Sequence, residues 1–88
     1  LNNIIWIELL NQNSINSFRR ELQSHHINLM INIFKDKKYP VDAQNLALES
    51  IQTVYEEILK QDLKNIYDSY TQLHLLNMKS KIEMALDD

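Results

Sequence analysis

Not one of the 88 residues is glycine, and Pro40 is the only proline. Without glycine, any turn that needs a positive φ falls on Asn or Asp, which tolerate that region better than other side chains. A fold rich in tight hairpins is therefore disfavoured, and a glycine-rich phosphate cradle is excluded. Helices joined by short polar connections are what such a chain builds most readily. A hydrophobic fraction of 44% and a charged fraction of 24% suit a chain that folds around a core rather than one that stays disordered. A chain of this length holds one domain with one modest core.

Periodicity then predicts four helices. Leu1–Leu10, LNNIIWIELL, is dense in apolar residues; the isoleucines favour a strand and Glu8, Leu9 and Leu10 a helix. We read it as a short first helix, broken at Asn11–Asn13. Asn13 or Ser14 is a suitable cap for a second helix running to Phe34. Its stripe is Ile15, Phe18, Leu22, His25, Leu29 and Ile33 at three- and four-residue steps, widened by Ile27, Met30 and Phe34. The cations of Lys35–Lys38 suit its end, and Tyr39-Pro40 closes it.

In the third segment Asp42 is the expected cap, with Val41 and Leu46 at the positions of a hydrophobic staple. Ala43, Ala47, Ile51, Val54 and Ile58 form its stripe, with Leu46, Leu48, Tyr55 and Leu59 beside it. A break is expected between about Asp62 and Asp68, because Asp68-Ser69 is a fresh capping signal. The last helix carries Thr71, Leu75, Met78, Ile82 and Ala85 on one stripe, flanked by Leu73, Leu76 and Leu86. Lys79 and Glu83 are spaced for an i, i+4 pair. The expected fold is all-α: a four-helix up-and-down bundle with a short first helix, residues 1–88 forming a single helical domain.

Charge and composition narrow the function. The net charge is −3, and acids outnumber bases about two to one after Gln44. No basic face for a phosphate backbone emerges, so nucleic acid is not an expected partner. No apolar run approaches the length needed to cross a bilayer, so membrane insertion is not expected either. The absence of cysteine removes disulfides, thiolate catalysis and cysteine-based metal sites. Opening on Leu1, the chain reads as a fragment of a larger protein.

The candidate chemical groups are few. His25 and His26 are sequence neighbours, so on a helix their side chains diverge by about 100° and cannot share one ion. His25 and His74 from facing helices would give two metal ligands, without an evident third. One histidine at the core edge and two on the surface is the favoured reading, with no metal site in this chain. Glu56-Glu57 and Asp87-Asp88 read as solvated pairs without the burial that tunes a catalytic carboxylate. Arg19-Arg20 would suit a phosphate or carboxylate, but pairing with an acid on the chain itself is favoured. Trp6 serves equally as a core residue or as part of a docking patch. Trp6, Arg19, Arg20 and His74 are thus the candidate contacts to another domain or partner; no catalytic or cofactor-binding residue is expected.

Three stretches taken together carry a resemblance. INSFRRELQSHHINLMI has paired arginines, then Gln23 and a late Leu. VDAQNLALESIQTVYEEI opens a helix on D-A-x-x-L-A. DSYTQLHLLNMKSKIEMALDD follows D-x-x-T-x-x-H-L…I-x-x-A-L-D. In this order and spacing they resemble the C-terminal helical region of a family of large bacterial zinc-dependent metallopeptidases with a zincin catalytic domain. The positions that match are Arg19, Arg20, Gln23, Asp42, Ala43, Leu46, Ala47, Asp68, Thr71, His74, Leu75, Ile82, Ala85, Leu86 and Asp87. The family's HExxH zinc helix has no counterpart here. The resemblance therefore implies a non-catalytic accessory domain, with zinc in the parent protein and none in this chain. It implies the remainder of the parent polypeptide as partner and the cell envelope or the exterior as location. A stand-alone interaction module or homodimer is the alternative.

Overall fold

The computed structural model describes residues 16–66 and 68–87. Among them the chain forms three α-helices and no strand: α1 (Asn16–Lys35), α2 (Val41–Leu59) and α3 (Ser69–Asp87), with a single 3₁₀ turn at Leu63–Asn65. The all-α expectation holds. The expected first helix over Leu1–Leu10, and the cap at Asn13 or Ser14, lie outside the described residues, so the bundle described has three helices instead of four.

The connections show how a chain without glycine turns. No described residue has a positive φ. Between α1 and α2, the Tyr39 N–H donates to the Asp36 carbonyl at 3.2 Å, and Asp36 Oδ1 accepts from the Lys38 N–H at 3.0 Å. This is an Asx-type turn that needs no left-handed residue. The free carbonyls at the end of α1 find a donor in Gln44, whose Nε2 reaches Phe34 O at 3.3 Å and Asp36 O at 3.0 Å. One side chain on α2 thus finishes α1 and holds the two helices antiparallel.

The start of α2 departs from expectation. Pro40, at φ −59° and ψ 151°, occupies the cap position without a side-chain cap bond. Asp42 consequently lies inside the first turn, where its charge faces the positive end of the helix dipole. Val41 and Leu46 are 68% and 67% exposed, so the expected staple buries neither of them. The physical reason is local: proline presets the φ of the entry and moves the helix start one residue ahead of the aspartate. At α3 the capping signal works as read. Asp68 Oδ1 accepts from the Tyr70 N–H at 3.0 Å, and the chain breaks between Leu59 and Ser69 as expected.

The core is an isoleucine-rich seam. Ile27 of α1, Ile51, Val54 and Ile58 of α2, and Leu75, Met78 and Ile82 of α3 are buried together. Met30, Ile31, Phe34, Tyr55, Leu63 and Ile66 pack at its edge. Each full burial of such a side chain contributes about 1.5–3 kcal/mol. The stripes read on α2 and α3 are the ones that face inward: Ala47, Ile51, Val54 and Ile58, and Thr71, Leu75, Met78, Ile82 and Ala85, are all buried. Ala43 is half-buried.

On α1 the stripe is turned around. Ile27 is fully buried and Gln23 is 4% exposed, whereas Phe18, Leu22 and Leu29 are 59%, 49% and 51% exposed. His25, expected on the same stripe, has a side chain 73% exposed. At about 100° per residue, Phe18, Leu22 and Leu29 lie on the side of the helix opposite Ile27. The helix is apolar on two faces, and the face with the more regular spacing is the outer one.

Candidate functional site

Five of the polar residues singled out by the resemblance meet across the seam between α1 and α3. The two helices run parallel, so their amino-terminal ends lie together. Arg20 Nη1 donates to Asp68 Oδ2 at 3.4 Å and to Thr71 Oγ1 at 3.5 Å. The Thr71 hydroxyl donates to the same Asp68 oxygen at 2.6 Å. One turn further on, His74 Nε2–H donates to Gln23 Oε1 at 2.8 Å. The Arg20 guanidinium also lies over the Tyr70 ring, 5.7 Å from its centroid.

Helical spacing explains why these residues converge. Arg20, Gln23 and Ile27 are three and four residues apart, and so are Asp68, Thr71 and Thr71's successors His74 and Leu75. Each set occupies one face of its helix, the polar members at the amino-terminal end and the apolar ones further down. The seam is therefore one continuous contact that changes from polar to apolar along its length.

Electrostatics bind the cluster further. Thr71's hydroxyl, foremost, then the Tyr70 N–H and the Arg20 charge outweigh desolvation and hold the Asp68 carboxyl below the ordinary value of 3.8. His74 is 8% exposed. Its burial, followed by the positive charges of Arg20 and Lys81, lowers its pKa from 6.5 to about 4. At neutral pH the imidazole is uncharged, which is the form that a buried site beside an arginine favours.

The placement of the sequence-predicted residues follows directly. Arg20 and His74 are engaged within the chain, Arg20 with a side chain 18% exposed. Arg19 is half-buried on the same helix. Trp6 lies outside the described residues. His25 sits near Glu21, its Nε2 4.0 Å from the carboxylate on the solvent side. It is two residues from Gln23, so on a helix it points away from His74's partner. The two-ligand arrangement of His25 with His74 is not formed. Of the three histidines His74 is buried, His26 half-buried and His25 exposed, so one lies on the surface instead of the expected two. Among the described residues, no group of three or more His, Asp or Glu side chains is placed to hold a metal ion.

Two further features were not foreseen. Tyr55 donates to Glu83 Oε2 at 3.1 Å, while Lys79 pairs with Glu83 Oε1 at 3.2 Å. The expected i, i+4 pair thereby becomes part of a bridge from α3 to α2. Below the polar cluster, the seam opens into a groove of about 540 Å³ lined by Asn28, Ile31, Lys35, Lys81, Met84, Ala85 and Asp87. Neither feature has a periodic signature, because both depend on how two helices are placed relative to each other. No described helix is long and apolar enough to cross a membrane. The chain matches no family model, no curated protein and no solved structure.

Proposed function

We propose that this chain is a non-catalytic helical accessory domain that packs against and stabilises the catalytic part of a zinc-dependent metallopeptidase. One observation supports the reading above others. Arg20, Gln23, Asp68, Thr71 and His74, all positions of the resemblance, are spent on one another across α1 and α3. Residues committed to each other in this way align helices and are not themselves poised for a substrate. In this reading the spacing shared with the metallopeptidase region encodes a helix-locking device, and the parent protein's zinc and HExxH lie elsewhere. The proposed bundle has four helices, the fourth being Leu1–Leu10.

The outer face of α3 offers a surface for the parent polypeptide. Leu73, Leu76 and Met84 are 58%, 44% and 69% exposed, and helical geometry places them on one side, away from Met78. The coding sequence upstream of Leu1 tests the proposal: an HExxH-containing domain in frame is the expected result, and a start codon at Leu1 overturns it. The chain alone is also expected to take up zinc only at background, with or without His74→Ala. Stoichiometric zinc binding abolished by that change would make His74 a ligand and the domain something else.

The alternative, a stand-alone interaction or dimerisation module, draws on the same exposed apolar residues. It predicts a concentration-dependent dimer for the isolated chain, which light scattering would report.

A further inference from the structure

We infer that the apolar outer face of α1 pairs with the same face of a second copy of this chain, the two helices running antiparallel about a two-fold axis. The inference rests on the alternative reading of a dimer, places that dimer on α1, and stands without the metallopeptidase reading. Phe18, Leu22 and Leu29 are 59%, 49% and 51% exposed, and the His25 side chain among them is 73% exposed. At about 100° per residue the four fall within about 60° of arc. A strip this narrow is what one helix presents to one other helix.

The spacing names the second copy. Phe18, Leu22, His25 and Leu29 follow at steps of four, three and four residues, the seam of a coiled coil, and the steps read the same from either end. A two-fold axis level with the Gln23–Ser24 peptide therefore sets Phe18 against the partner's Leu29 and Leu22 against the partner's His25, with the reverse pairs following by symmetry. Every layer of the seam then has a large apolar side chain on at least one side. The flank agrees with this. Glu21, Asn28 and Asn32 are exposed along one side of the strip, as the polar rim around an apolar centre requires. The axis sets Glu21 opposite the partner's Asn28, a neutral residue, so the rim does not oppose the pairing.

Orientation and strength follow from the same residues. Antiparallel pairing sets the two helix dipoles head to tail, whereas a parallel one would align them and bring His25 against the partner's His25. A lone polar residue in an apolar seam weakens the contact but fixes its register, and a slip of one heptad keeps only half of the layers. The strip is about 16 Å long, a contact smaller than the standard interface of about 800 Å² per partner. The dimer is therefore weak and concentration-dependent, and the outer face of α3 stays uncovered.

Sedimentation of the full 88-residue protein is expected to show a mass rising from 10.5 kDa toward twice that value between micromolar and millimolar concentration. Leu22→Glu is expected to stay monomeric over the whole range while helical circular dichroism persists. Leu73→Glu, on the outer face of α3, is expected to dimerise like the wild type. His25→Leu removes the polar layer and is expected to tighten the dissociation constant roughly tenfold, a second test that holds even if Leu22→Glu fails to fold. Since the chain has no cysteine, air oxidation of Glu21→Cys mixed with Asn28→Cys reads the orientation. The mixed disulfide is expected in preference to the one joining two Asn28→Cys chains. A wild type that stays monomeric throughout overturns the inference, and so does an unchanged dissociation constant for His25→Leu or a reversed disulfide preference. A dimer broken by Leu73→Glu and untouched by Leu22→Glu overturns it too, while leaving the alternative reading standing on α3.

Discussion

The two ends of the α1–α3 seam join the same pair of helices by opposite means. At the amino-terminal end, Arg20 and Gln23 meet Asp68, Thr71 and His74 through directional bonds. At the carboxyl-terminal end, Ile31, Lys35, Lys81 and Met84 line an open groove between the two helices. Apolar contact holds surfaces together but tolerates sliding. A hydrogen bond between buried groups fails with a small displacement and leaves both partners unsatisfied. The polar end therefore sets the height of α3 against α1, and the apolar middle supplies most of the stabilisation.

That division can be broken at chosen points, and the largest effect belongs to the middle. Ile27 is fully buried and sits between the two ends of the seam. Ile27→Ala is expected to destabilise by about 3 kcal/mol, the range for a large-to-small change in a core, read by urea denaturation. A value below 1 kcal/mol would mean that the seam is looser than its burial implies.

At the polar end, Thr71→Val keeps volume and removes the hydroxyl that serves Asp68. The residue is 6% exposed, and the expected loss is about 1–2 kcal/mol. An unchanged midpoint would show that Asp68 and Arg20 hold the end without it.

The pH profile separates the members of the cluster by window. His74's pKa is lowered from 6.5 to about 4, so between those values the unfolded chain binds the proton that the folded chain refuses. His74's contribution is complete above about 6.5 and is lost progressively as pH falls to about 4. Asp68, held below 3.8, contributes above its unfolded value and loses that contribution only at lower pH. The thermal midpoint is expected to fall in two stages on acidification, and His74→Gln is expected to flatten the first. A midpoint constant from pH 7 to 4 in the wild type would contradict the buried neutral imidazole.

The smallest effect belongs to the open end. Met84 is 69% exposed at the rim of the groove, and Met84→Lys is expected to change stability by no more than about 0.5 kcal/mol. A loss as large as that of Thr71→Val would erase the difference between the two ends.

The sequence was easiest to read where apolar residues occupy one face alone. The stripes of α2 and α3, Ile51–Val54–Ile58 and Leu75–Met78–Ile82, are single-sided, and both face inward. On α1 two apolar faces compete, and the inner one includes Arg20 and Gln23. Counting apolar residues discounts those two, so Phe18–Leu22–Leu29 looks like the core face although it is the outer one. The missing information is that polar groups at the end of a seam can be buried by pairing with the next helix. The cluster itself was visible only as residue types at the right spacing; its closure depended on the height at which α3 begins. Asp68 and Asp42 teach the same lesson about caps. Both stand near a helix start, but Pro40 moves one start ahead of its aspartate, whereas Ser69 leaves the other in place.

The polar lock is tested most directly by a double-mutant cycle on its most buried bond. Gln23→Ala, His74→Ala and the double variant would be compared by denaturant unfolding at pH 8, where the imidazole is neutral. The bond between them, 2.8 Å long with both residues under 9% exposed, predicts a coupling of about 1–2 kcal/mol. Additivity within about 0.3 kcal/mol would show that the two side chains are merely adjacent and that the seam is held without them.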